Sequence, residues 1–152
     1  MAIDPAVVGT ALATSTLVVE AGRLRMFAQA IGETNPIYLD TAAAASAGHP
    51  DLPVPPTFLF GVELESPDPF AWLSDLGVDL RQILHGDQGF AYHSIAHAGD
   101  TLVAAPIITD VYVKKGGALE FVVQTTAITS RDGSAVADLT STIVVRNLVG
   151  AG

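Results

Sequence analysis

Phe27-Ala28-Gln29-Ala30-Ile31-Gly32-Glu33-Thr34-Asn35-Pro36-Ile37-Tyr38-Leu39-Asp40 is the stretch whose reading decides the fold. It starts inside a helix. Leu24, Phe27, Ala28 and Ile31 recur at spacings of three and four, which puts them on one apolar stripe of a helix over 20–31. Gly32 closes that helix. Thr34-Asn35-Pro36 is turn chemistry, and Pro36 biases Asn35 away from the α region. Asp40 then caps a short Ala-rich helix over 41–47, and Gly48-His49-Pro50 ends it.

Upstream, 8–19 is small and β-leaning and predicts a short strand. Downstream, residues 50–69 hold six of the nine prolines, interrupted by the apolar run 57–64. Phe70, Leu73 and Leu76 sit at helical spacing with Trp72 beside them, and Gly77 is a natural stop. Beyond Asp79 the pattern changes. Strands are predicted over 83–94, 102–113, 119–129 and 135–145, with turns at Lys114-Lys115-Gly116-Gly117 and Arg131-Asp132-Gly133. Helices first and an antiparallel sheet second make an α+β layout. No internal repeat or low-complexity linker divides the chain, so 1–152 reads as a single domain.

Composition narrows the function classes. The chain is 49% hydrophobic and only 15% charged, which predicts surface buried against a partner as well as inside. A net charge of -9 argues against nucleic acid, which needs a basic stripe, and against anionic membrane surfaces. The absence of cysteine excludes disulfides, thiol nucleophiles and Cys-ligated metals. Neither a signal peptide nor a transmembrane run is recognisable, so a soluble cytoplasmic protein is expected.

Five segments in order carry a resemblance. They are the stretch 27–40; Val54-Pro55-Pro56-Thr57-Phe58-Leu59; Leu84-His85-Gly86-Asp87-Gln88-Gly89-Phe90-Ala91-Tyr92-His93 with Ala98-Gly99-Asp100-Thr101-Leu102; Asp110-Val111-Tyr112-Val113-Lys114-Lys115-Gly116-Gly117; and the last strand. Together they resemble the MaoC-like dehydratases, or (R)-specific enoyl hydratases, over about 20–146. The resemblance is nearest to the N-terminal, FAS1-like dehydratase type and its non-catalytic subunits. It implies a hot-dog fold, with a curved antiparallel sheet wrapped around a central helix. It implies a lyase of lipid metabolism, a hydratase/dehydratase of enoyl and (R)-3-hydroxyacyl thioesters. It implies no cofactor beyond coenzyme A or acyl carrier protein, the carriers of the substrate.

The family motif has an Asp and a His that hold and activate water. Here Glu33 and Tyr38 occupy those positions. Glu33, Asn35 and Tyr38 are the candidate catalytic residues, a degenerate dyad. A carboxylate in an apolar pocket serves as acid or base, yet the extra methylene of Glu33 displaces its oxygens by roughly an ångström. Its bland alternative is a solvated carboxylate. An unperturbed phenol, with a pKa of about 10, is no base near neutrality, so Tyr38 is either a hydrogen-bond donor or an aromatic wall. Asn35 either orients water or makes an Asx-turn. Asp40 is expected to be a helix cap.

Pro56, Thr57, Phe58, His85 and Gly86 are the candidate substrate-binding residues. In catalytic relatives, amides at the start of the central helix polarise the thioester carbonyl. His49 is expected in solvent. His93 and His97 are four apart but read as strand and turn, so no metal is expected. Phe70, Trp72 and Leu73 are expected in the core. Lys114, Lys115 and Arg131 are the cations available for coenzyme A phosphates.

Two readings stay open. In the first, the chain is a supporting subunit that pairs with a catalytic MaoC-like chain and shapes the acyl tunnel. In the second, it is a homodimeric hydratase using Glu33, or a binding protein for acyl thioesters.

Overall fold

The Val-, Ile- and Thr-rich second half folds as strands, as its alternation predicts. The structure is a computed structural model and describes residues 3–147. Five strands, β1 (Ser15–Val18), β2 (Ile83–Tyr92), β3 (Thr101–Lys114), β4 (Leu119–Ser130) and β5 (Ala135–Arg146), form one antiparallel sheet in the order β1-β3-β4-β5-β2. Hairpins join β3 to β4 and β4 to β5. The first turns through Gly116 and Gly117 at φ of 63° and 92°, a region that costs glycine nothing.

Three α-helices precede or interrupt the strands: α1 (Ala21–Ala30), α2 (Thr41–Ser46) and α3 (Ala71–Asp75). α1 buries Leu24 and Ala28 from the predicted stripe. Between α2 and α3 runs a 3₁₀ helix, Pro56–Glu65. Ten residues is long for that geometry, which rarely extends past three or four. Its surroundings hold it. Phe58, Leu59 and Val62 are buried against Leu17, Leu24, Leu102, Ala104, Ile128 and Leu139, from α1 and the concave face of the sheet. Each side chain so buried is worth about 1.5–3 kcal/mol. A second cluster, Leu73, Val78, Ile108, Val122 and Val145, packs α3 against the same sheet. The sheet thus curves around the helix that the resemblance implied.

The strand expected over 8–19 is shorter, only Ser15–Val18. Pro106 is the reason. It lies on β3 beyond the Ser15–Ala104 pair and has no N–H, so the ladder stops there. Residues 9–12 follow β3 by isolated bonds, Gly9 N to Ile108 O (2.8 Å) and Leu12 N to Pro106 O (2.9 Å).

The two edges of the sheet differ. β1 has four residues, whereas β2 has ten and pairs only with β5 among the described residues. Leu84 and Tyr92 on β2 and Ile95 just after it are half-exposed or more. A long apolar open edge is a template for another chain.

Candidate functional site

The 3₁₀ helix Pro56–Glu65 contributes to two cavities. Pro56 and Leu59 line a smaller one of about 300 Å³, with Tyr38, His49, Tyr92 and His93. Phe60, Glu63 and Leu64 line a larger one of about 510 Å³, with Phe70, Trp72 and His85 among its other walls.

The turn after α1 sits beside the smaller cavity. Glu33 Oε1 accepts hydrogen bonds from the backbone N–H groups of Thr34 (2.9 Å) and Asn35 (2.8 Å). Its carboxylate is therefore turned onto its own loop. Asn35 Oδ1 accepts from Ile37 N (3.2 Å), which makes Asn35 the cap of the short 3₁₀ turn Pro36–Tyr38. Asp40 Oδ1 accepts from Ala42 N (2.9 Å) and caps α2. Tyr38 is half-buried and lines the smaller cavity; Glu33 and Asn35 do not.

The larger cavity holds a different carboxyl group. Glu63 Oε2 accepts from Gln124 Nε2 at 2.6 Å, and the same amide donates to Thr126 Oγ1 at 3.2 Å. Glu63 Oε1 is buried with no hydrogen-bond partner. Leaving such an atom unpaired costs about 1–3 kcal/mol. Burial pushes the Glu63 pKa up, and hydrogen bonds from Thr126 and Gln124 and the nearby His85 pull against it. A polar row underlies it. Gln88 on β2 is opposite Ser141 on β5, and Ser141 is opposite Gln124 on β4. Ser141 Oγ donates to Gln88 Oε1 at 2.6 Å. Three adjacent strands thus put polar side chains at one level of an apolar cavity.

His85 joins this row. Its Nε2 is 3.1 Å from both Gln88 Oε1 and the Asp87 carbonyl, so that nitrogen carries the hydrogen. Its ring packs on Phe60 at 5.3 Å. Gly86 lies at a bulge where the β2–β5 register shifts. A Cβ there would be 2.7 Å from Val144 Cγ2 and 3.2 Å from Thr142 O, so the strand pairing itself requires glycine. Pro56 and Thr57 are exposed at the helix start and Phe58 is buried, edge-on to Phe27 at 5.4 Å. The expected substrate-binding residues therefore divide, with Pro56 at the smaller cavity and His85 at the larger one.

Two further expectations are corrected. His49 is not in open solvent; its Nδ1 lies 3.0 Å from His97 Nε2, because the loop after α2 folds back on the loop before β3. Burial, then the neighbouring His49, lowers the His97 pKa. Leu73 is in the core, but Phe70 and Trp72 face the larger cavity. Lys114 and Lys115 lie at one end of the twelve-residue β4 and Arg131 at the other, about 35 Å apart, so one nucleotide cannot engage both groups. Sequence reading missed Glu63, Gln124 and Ser141. The one available signal was Glu63, the single acid inside the apolar run 57–64.

The sequence profile of the FAS1-like dehydratase domain region matches residues 6–139. The chain belongs to that family. Among its relatives is a UPF0336 protein of Clavibacter michiganensis subsp. michiganensis, 34% identical over 147 residues, spanning 96% of this chain and 97% of the relative. Among solved structures, the C-terminally truncated HadBC (3R)-hydroxyacyl-ACP dehydratase complex of Mycobacterium tuberculosis superposes with a TM-score of 0.76 at 27% identity, covering 91% of this chain and 96% of that one. A MaoC-like dehydratase superposes at 0.81 with 24% identity, over 94% of this chain and 43% of that longer one. The dehydratase domain described here is therefore a hot-dog fold. No helix among its described residues is long and apolar enough to cross a membrane.

Proposed function

We propose that this chain is the supporting subunit of an (R)-3-hydroxyacyl thioester dehydratase or enoyl hydratase. It pairs along β2 with a catalytic MaoC-like chain and buries the acyl group in its larger cavity. The observation that carries this reading is the position of Glu33. Its oxygen is committed to two amides of its own loop, and Tyr38 offers no base beside it. An acid/base pair must reach the proton it moves. The larger cavity supports the same reading, since its walls are mostly apolar and its volume suits a chain ligand. The open ten-residue edge of β2 supplies the pairing surface. The HadBC relative is itself a complex.

The test is hydration of crotonyl-CoA and of a longer enoyl-CoA, by this protein alone and mixed with an Asp/His-bearing MaoC-like chain. Turnover in the mixture and none alone is the expected result. Turnover by this protein alone contradicts it.

One observation favours a second reading, a self-sufficient hydratase. His93 Nε2 is 2.7 Å from Asp138 Oδ2, and His93 lines the smaller cavity with Tyr38. In this reading the imidazole comes from the end of β2 instead of the motif, and Tyr38 donates a hydrogen bond to the substrate carbonyl. It requires turnover by the lone chain that is lost in His93→Ala.

A further inference from the structure

The larger cavity is mostly apolar, yet it contains a polar group with nothing to bind. Glu63 Oε2 is held by Gln124, while Oε1 is buried and unpartnered. The amide under it is itself fixed by Thr126. Ser141 and Gln88 extend the same row across β5 and β2, and they hydrogen-bond to each other. The row is thus saturated except at one atom. Around it stand Phe60, Trp72, Leu76, Ile83 and Ile143. A plain hydrocarbon chain filling this space would seal the free oxygen away from water.

We infer that the larger cavity takes an acyl chain carrying an oxygen function of its own, a hydroxyl or a ketone away from the thioester end, and that Glu63 Oε1 binds that oxygen. The inference rests on the acyl-cavity reading above. The hydrogen-bond directions support it. Oε2 accepts from an amide, so in the neutral acid the proton sits on Oε1, which then donates to a ketone or hydroxyl oxygen. In the ionised acid, Oε1 accepts from a hydroxyl. A hydroxyl satisfies both states and a methylene satisfies neither. Glu63 is thereby a specificity residue, with no part in the bond-making step.

Trp72 is the chain's single tryptophan and lines this cavity, so its fluorescence reports occupancy. The experiment titrates the full chain with dodecanoyl-CoA and with a series of dodecanoyl-CoAs, each hydroxylated at one different carbon. The expected result is saturable binding throughout, with one or two adjacent hydroxyl positions preferred by about tenfold, roughly one well-placed hydrogen bond. Glu63→Leu abolishes the preference and leaves the unsubstituted chain bound. Glu63→Gln, similar in size, keeps part of it and guards against misfolding of the first variant. Equal affinity for every chain overturns the inference alone, and means that water satisfies Oε1. A Trp72 signal that no chain changes overturns the acyl-cavity reading and this inference with it.

Discussion

Glu33 and Glu63 are two carboxylates in one small domain, and they are treated in opposite ways. Glu33 follows the helix-ending Gly32, and its oxygen is occupied by two backbone amides of its own turn. Glu63 is on the 3₁₀ helix, where one oxygen is held by Gln124 and the other is buried and free. The residue in the motif position is satisfied, and the residue outside it is not. A site meant to bind something leaves a polar group unpaired, and a turn meant to hold its shape pairs every group it can. The comparison places ligand recognition on the Glu63 side of the helix and structural duty on the Glu33 side.

The comparison breaks most completely if the helix shared by both cavities is loosened. Phe58 is 6% exposed and packs edge-on against Phe27. Phe58→Ala is expected to cost about 3–5 kcal/mol in a urea titration and to perturb both cavities together. A loss under about 1 kcal/mol would mean that the helix is not the common wall. Gly86→Ala comes next. Its Cβ would stand 2.7 Å from Val144 Cγ2, so a loss of about 1–3 kcal/mol is expected, with weakened pairing to any β2-edge partner. Neutral stability there would contradict the bulge assignment.

Asp40→Ala touches only the motif side. Loss of one helix cap should lower stability by about 1 kcal/mol without altering chain binding at Trp72. An altered Trp72 titration would show that the two sides are coupled.

The smallest effect sharpens the comparison by pH. Burial raises the Glu63 pKa above its unfolded value, so the folded protein holds that proton more tightly. The penalty is absent below the unfolded pKa, about 4.3, and complete above the raised folded value. Glu63→Gln is therefore expected to gain melting temperature over the native chain as pH climbs through that window, then to hold a constant gain. A gain that shrinks with rising pH would reverse the assignment. Glu33→Gln should show no such rise.

Much of the fold was legible because it is local. The stripe Leu24, Phe27, Ala28 and Ile31 became α1, and the Gly turns fixed the hairpins. The stop of β1 was not legible from residues 8–19, because Pro106 on another strand causes it. The site was harder to read. β4 alternates as expected, but its inward positions include Glu120, Gln124 and Thr126, so polarity did not show which face is buried. Glu120 has its own reason to be there, since its carboxylate accepts from Asn147 Nδ2 at 2.6 Å and from Ile3 N. Gln124 has another, which only the approach of Glu63 from sixty-one residues away reveals. The motif residues could be found because they are contiguous. The polar row could not, because four separate elements build it.

The most direct test of the account is turnover of an enoyl-CoA by the mixed complex, comparing Glu33→Gln in this chain with Asp→Asn in the motif of the catalytic partner. The account predicts that Glu33→Gln leaves turnover within about twofold of the native complex, while loss of the partner's Asp removes it by about a hundredfold or more. If Glu33→Gln abolishes turnover instead, the motif carboxylate of this chain does the chemistry, and the division between its two carboxylates is wrong.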